Sequence, residues 1–165
     1  MPLNHRLIAA ALSLCLASAA RAQLPIPSMA LVGGVSHYTL SSSSGSTPIG
    51  ALRVDIPVVV AVLEGSLAAF RPQDAGAAHT YIIPEAQLQW QLFPTIVRPY
   101  LGAGLGWFKS ISGSTPHGND LTTSLSAGVR VGIPLVPITG RAEIRVRGIG
   151  GFSDHATELT IGGSW

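Results

Sequence analysis

Ser153, Asp154 and His155 bring the nucleophile, acid and base types of a hydrolytic triad into three consecutive positions. Neighbouring residues of an extended chain point to opposite sides, so these three cannot relay a proton among themselves and read as a polar loop. His37, His79, His117 and His155 are of the type that binds Zn²⁺ or Cu²⁺. Their separations match no ligand spacing, and all four fall at one predicted end of the strands, where a wet polar residue is ordinary. Gly102, Gly104 and Gly106 suggest a nucleotide loop, but that fingerprint is G-x-G-x-x-G opening a helix. Here the glycines recur inside a predicted strand, where they make room for a bulky neighbour such as Tyr81 or Tyr100. No catalytic, cofactor or metal site follows from these residues.

The charged residues obey a stricter pattern. Arg141, Glu143, Arg145 and Arg147 alternate with Ala142, Ile144 and Val146, so a strand there carries all its charge on one face. The same holds for Arg53 and Asp55 against Leu52, Val54 and Ile56, for Glu85, Gln87 and Gln89 against Ala86, Leu88 and Trp90, and for Arg130 against Val129 and Val131. Glu64, Arg98 and Glu158 join these polar faces. Six arginines and five carboxylates can neutralise one another if the strands close around them, whereas an enclosed unpaired charge costs several kcal/mol. The arginine face over 141–147 is then an ion-pair ladder or an anion path. An eight-stranded barrel has an interior just filled by side chains, which favours the ladder and argues against a wide channel.

Eight segments with period two must position these faces: Met29–Leu40, Ile49–Ile56, Val58–Phe70, His79–Leu92, Val97–Lys109, Leu121–Ile133, Gly140–Gly148 and Ala156–Trp165. Their connections alternate. Ser41–Pro48, Arg71–Ala78, Ser110–Asp120 and Gly150–His155 are polar, whereas the turns at Pro57, Pro94 and Pro134–Thr139 are tight and apolar. Pro84 lies inside the fourth segment, where the missing N–H calls for a bulge or a later strand start. The first segment has no charge to say which face turns inward.

Met1–Ala22 has the form of a cleaved secretory leader: His5 and Arg6, an apolar run over Leu7–Leu16, then Ala20-Arg21-Ala22 before Gln23. The run is too short for a bilayer, which takes about 20 residues. Cys15, the single cysteine, lies within it, and Leu14 is too large for a lipoprotein signal. The domain over 23–165 is thus expected to hold no cysteine, which excludes a disulfide scaffold and thiol chemistry. Of 10 basic residues, Arg6 and Arg21 leave with the leader, so 8 face 8 acidic ones and nucleic acid has no electrostatic grip. The chain is 47% apolar and 11% charged, yet no apolar run reaches the length of a membrane helix.

The last segment puts Leu159, Ile161, Gly163 and Trp165 on one face and Glu158, Thr160 and Ser164 on the other. With this terminal aromatic, the stretch Pro99-Tyr100-Leu101-Gly102-Ala103-Gly104-Leu105-Gly106-Trp107 and the leader, the chain resembles small outer-membrane β-barrel proteins of the OmpA/OmpX-like superfamily. The resemblance implies an all-β, eight-stranded antiparallel up-and-down transmembrane barrel. It also implies outer-membrane lipid around a monomeric protein, and Leu159, Ile161 and Trp165 as the signal read by the barrel-assembly machinery. The periplasmic peptidoglycan-binding domain of full-length OmpA-type proteins is not expected after Trp165. Balanced charge on the polar faces, tryptophans near strand ends and polar loops grouped at one end all favour polar side chains inside and apolar ones toward lipid. The role expected is structural or loop-mediated binding in the envelope, without enzymatic activity or cofactor.

Three alternatives stay open. A narrow or lateral path for small hydrophobic molecules needs an unfilled lumen or a gap between strands. A lipid A-modifying hydrolase needs a Ser–His hydrogen bond on the lipid-facing surface, although His155-Ala156-Thr157-Glu158 lacks the His-x-Ser-Asn signature of the deacylases. A soluble lipocalin-like binder would reverse the two faces.

Overall fold

Period-two alternation gives strands, and their polar faces decide how they close. The computed structural model describes residues 26–41, 43–58, 61–74, 76–93, 96–112, 117–132, 136–151 and 153–165. The expected leader, with Cys15 and its cleavage site, lies outside the described residues. The strands are β1 (Ser28–Leu40), β2 (Ser43–Val58), β3 (Ala61–Phe70), β6 (Tyr81–Gln91), β7 (Val97–Ser110), β8 (Asn119–Gly132), β9 (Thr139–Ile149) and β10 (Asp154–Ser164). Between β3 and β6 sits a small ladder of β4 (Gln73–Asp74) and β5 (Ala77–Ala78). The eight long strands form one closed antiparallel barrel in the order β1-β10-β9-β8-β7-β6-β3-β2.

The register tilts the strands. One rung of paired residues runs Met29, Val54, Gly65, Ala86, Leu105, Thr123, Gly148, His155 and returns to β1 at Thr39, ten residues further along. Such a stagger is what closure of a tilted sheet requires. We call the end where β1 starts and β10 finishes the lower end, and the opposite end the upper one. Every rung therefore climbs as it passes from β2 through β3, β6, β7, β8 and β9 to β10.

The faces segregate. Leu31, Val35, Leu67, Leu101, Leu105, Leu125, Ile144, Leu159 and Ile161 stand exposed on the outer wall. Arg53, Glu64, Gln87, Gln89, Glu143, Arg145 and Arg147 are buried inside. β1 takes its phase from its neighbours: Ala30, Val32, Ser36, Tyr38 and Leu40 turn inward, leaving Leu31 and Val35 outside. Trp107 marks the upper part of the wall, and Trp90 and Trp165 the lower.

Four expectations about elements need correction. The turn expected at Pro57 is strand instead, since β2 runs to Val58 and Pro57 pairs with Val62. Ser41–Pro48 is not a loop: β2 begins at Ser43, pairing with Leu40, and continues unbroken through Thr47 and Pro48. The cross-strand pairing with β1 organises a run too polar to announce itself as a strand. Pro84 causes neither a bulge nor a late start. It pairs with Leu67 on β3, while the β6–β7 ladder lapses only between Ile82↔Lys109 and Glu85↔Gly106, with the register unchanged on both sides. Its ring lies on the exposed wall and its carbonyl lies toward Gly106, which lacks the Cβ that would obstruct it. Nor is the interior polar throughout. Tyr38, Leu40, Ile49, Phe70, Tyr81, Ile83, Phe108 and Ile149 form an apolar cluster in its upper half. These side chains share their strands' inward parity with the charges, so the same alternation places them.

Candidate functional site

The inward faces of six strands build one charged cluster in the lower and middle lumen. Arg53, Arg130, Arg141, Arg145 and Arg147 meet Asp55, Glu64, Glu85, Glu143 and Glu158, none of them more than 7% exposed. At the bottom Arg130 Nη2 lies 3.0 Å from Asp55 and donates to Gln89 Oε1 at 2.5 Å. Arg141 is shared among Asp55 at 3.4 Å, Glu143 at 3.1 Å and Glu64. In the middle Arg53 donates to Glu143 at 2.9 Å, and Arg145 joins Glu143 at 3.0 Å, Glu64 at 2.7 Å and Glu85 at 2.5 Å. Above them Arg147 bridges Glu85 and Glu158, the latter at 3.0 Å. Five cations against five anions leave this nest neutral, and the planar guanidinium suits such sharing because its five donors can serve several carboxylates at once.

Uncharged groups complete the nest. Tyr100 donates to Glu143 at 2.5 Å, accepts from Arg141 Nε at 3.1 Å and lies beneath the Arg130 and Arg141 guanidiniums. Gln89 donates to Glu64 and to Gln87, and Ser124 donates to Glu85. The glycines of β7 make their room for these groups and not for Tyr81 or Tyr100. A Cβ on Gly102 would stand 2.7 Å from Ser126 Oγ and 2.8 Å from Gln87 Oε1, and one on Gly104 would meet Ser124 and Glu85. The space under Tyr100 comes instead from Gly128, where a Cβ would lie 2.5 Å from the phenol oxygen.

Arg98 stands apart. It faces inward near the lower end beside Arg130, its cross-strand partner, and has no ion pair among the described residues. Period two places it with the charges, but only the register shows that the carboxylates lie further up.

The upper lumen is sealed by rings. Tyr81 stacks on Phe108 with centroids 4.1 Å apart, and Phe70 meets Phe108 edge-on at 5.5 Å. The β4–β5 ladder is tied over this plug, since Gln73 N–H donates to the Tyr38 hydroxyl at 2.9 Å and Tyr81 donates to Asp74 at 2.6 Å. At the rim Ser41 donates to both Asp154 oxygens at 2.8 and 2.9 Å, and His117 lies between Asp120 at 2.9 Å and Asp154 at 3.6 Å.

Ser153, Asp154 and His155 therefore make no relay: Asp154 serves Ser41 and His117, and His155 Nδ1 lies 3.4 Å from the Ser153 carbonyl. The four histidines all reach the upper end but not one another's ligand positions. Among the described residues no group of three or more His, Cys, Asp or Glu could hold a metal ion. A Ser–His contact does exist on the outer wall, His37 Nδ1 to Ser46 Oγ at 3.1 Å, with both residues exposed. Among the described residues it lacks the third member of a triad, because Asp55, Glu64, Glu85, Glu143 and Glu158 all turn into the lumen, Asp74 is buried against the Tyr81 hydroxyl, and Asp120 and Asp154 are held at the rim.

The closed antiparallel ladder has counterparts among solved structures. The barrel is similar to that of Neisserial surface protein A, with a TM-score of 0.69 and 13% identity, covering 84% of this chain and 95% of that one. The chain has the fold of the small outer-membrane β-barrels. It is also similar to Ail, the attachment invasion locus protein of Yersinia pestis, with a TM-score of 0.55, 13% identity and 87% and 100% of the two chains covered. The same protein in complex with the heparin analogue sucrose octasulfate matches at 0.54 and 15%, over 84% and 97%. At these identities the likeness is one of fold. No protein-family model matches the sequence, and no curated protein does.

Proposed function

We propose that the protein is an integral barrel of the bacterial outer membrane, exported by its leader, with a structural or loop-mediated binding role and no enzymatic activity. The observation that carries this is the sorting of charge: ten ionised groups buried and neutralised in the lumen, against an outer wall of Leu, Ile, Val and Trp. In water that wall would be a very large apolar patch, far beyond what soluble monomers tolerate; in hydrocarbon it is the matching surface. The lower end then lies in the periplasm and the upper end outside the cell. Leu159, Ile161 and Trp165 stand exposed on the last strand, accessible to an assembly machinery, and a barrel that pairs all its own edges has no need of a partner copy.

A conducting role finds less support. Among the described residues the interior is occupied from Arg130 to Phe108 and each strand pairs with both neighbours, with a short lapse between β6 and β7 beside Pro84, which argues against a pore or a lateral path. The heparin analogue bound by Ail is also a poor guide to the ligand here. The upper end of this chain offers Arg71 and Lys109 against Asp74, Asp120 and Asp154, a balance ill suited to a polysulfate.

Cell fractionation with electrophoresis of boiled and unboiled samples tests the reading. We expect the protein in the outer-membrane fraction, with a mobility that changes on heating; a freely soluble periplasmic protein would overturn it.

A further inference from the structure

The outer wall is not uniform. A groove of about 950 Å³ crosses it, large enough for a small-molecule ligand, since such sites occupy roughly 300–1,000 Å³. Its floor comes from small residues, Ala86, Ala103, Thr123 and Gly148, and its banks from Leu88, Leu105, Leu125 and Val146. Register explains its course. Ala86, Leu105, Thr123, Gly148 and His155 form one rung, and Leu63, Leu88, Ala103, Leu125 and Val146 the rung below. Because rungs climb toward β10, the groove rises from Leu63 and Trp90 near the lower end to His155 near the upper one.

Resting on the outer-membrane reading, we propose that this groove holds one acyl chain of an anionic, phosphate-bearing lipid of the outer leaflet, with the phosphate at His155. Lipid tails are as apolar as leucine, so burial alone cannot select one lipid over the bulk. Selection needs close packing, which the small residues of the floor permit, and a polar anchor. Among the described residues His155 is the only ionisable side chain lining the groove; as an imidazolium it can donate from Nε2 to a phosphate oxygen while Nδ1 faces the Ser153 carbonyl. The charge of the wall agrees. No carboxylate turns outward from a barrel strand among the described residues, and Lys109 stands exposed on the same face of β7 as Leu105, nearer the upper end.

The test uses the protein refolded into phosphatidylcholine vesicles with Trp90 as the sole tryptophan (Trp107→Phe, Trp165→Phe). A fraction of the lipid is replaced by chain-brominated phosphatidic acid or chain-brominated phosphatidylcholine, and quenching of Trp90 is read. We expect phosphatidic acid to be favoured about threefold, the discrimination a partly exposed charged contact supplies. His155→Ala should equalise the two lipids without protecting Trp90. Ala86→Leu with Ala103→Leu should fill the floor and reduce quenching by both. Equal quenching in the parent protein, or quenching unchanged in the filled groove, would overturn the proposal. Each sample is first checked for heat-modifiable mobility: its absence in the parent would sink the barrel reading and this proposal together, whereas its presence with indiscriminate quenching sinks the proposal alone.

Discussion

Arg145 and Arg98 show how differently one residue type can count inside a single barrel. Arg145 contacts Glu64, Glu85 and Glu143, and its removal leaves three carboxylates buried with fewer counterions. Breaking a buried ion pair by deleting one partner costs about 3–5 kcal/mol, so Arg145→Ala should lower the unfolding free energy in urea by an amount of that order. Arg145→Lys should recover only part, because an ammonium cannot serve three carboxylates with a planar fork. Arg98 has no ion pair among the described residues, and Arg98→Gln should change stability by under about 1 kcal/mol. It should even relieve the like-charge pairing with Arg130. Equal losses for Arg145→Ala and Arg98→Gln would show that the ion pairs do not organise the lumen. The lumen residues that sequence reasoning passed over, Tyr38, Phe70, Ile83, Phe108 and Ile149, share the inward parity of the charges. Strict alternation could have found them; the expectation of a wholly polar interior hid them.

At the scale of elements, closure depends on β1 meeting β10, the two strands most distant in sequence. Their backbones approach unusually closely at two glycines. A Cβ on Gly34 would stand 1.9 Å from the Leu159 carbonyl oxygen, and one on Gly162 would stand 2.1 Å from that of Leu31. Backbone cannot yield as a flexible side chain can, so Gly162→Ala should force the seam apart. The expected outcome is loss of the heat-modifiable species when the variant is refolded in detergent, while Gly65→Ala, with nothing within 4 Å of the added carbon, folds normally. A heat-modifiable Gly162→Ala barrel of parental stability would contradict this account of the seam. The elements also set the size of the upper surface. The early start of β2 reduces the first upper connection to residues 41–42, and the tie of the β4–β5 ladder to Tyr38 and Tyr81 draws the second over the lumen. Among the described residues, the polar groups available for loop-mediated contacts are thus largely those of the rim cluster of Ser41, His117, Asp120 and Asp154.

For the whole molecule, the two faces make separate demands. Leu125 is 68% exposed near the middle of the wall, and Leu125→Arg should cost roughly 2–4 kcal/mol of insertion free energy, as a cation facing lipid does near the bilayer midplane. Folding yield into vesicles measures it; a soluble, lipid-indifferent variant of unchanged yield would place that face in water after all. The lumen makes the opposite demand, for occupancy. With the ion-pair nest below and the Tyr81–Phe108 stack above, planar-bilayer recordings should show no steady conductance. A stable open channel would mean that the plug moves.

The sequence alone was enough for the eight barrel strands, the parity of each charged face and the end at which the polar connections gather, because alternation along a strand is a local property of neighbouring side chains. It also placed Arg53, Asp55, Glu64, Glu85, Arg98, Arg130, Arg141, Glu143, Arg145, Arg147 and Glu158 on the polar faces of their strands, but which face is enclosed is visible only in the closed barrel. Which cation meets which anion, that Arg98 meets none among the described residues, that β2 absorbs a serine-rich run and that Pro84 fits without a bulge became visible only in the folded barrel. Each of these depends on register, and register is set jointly by all eight strands when the barrel closes; no single segment carries it. The groove below His155 belongs to the same class, since its floor is assembled from rungs whose members lie tens of residues apart and become neighbours only across paired strands.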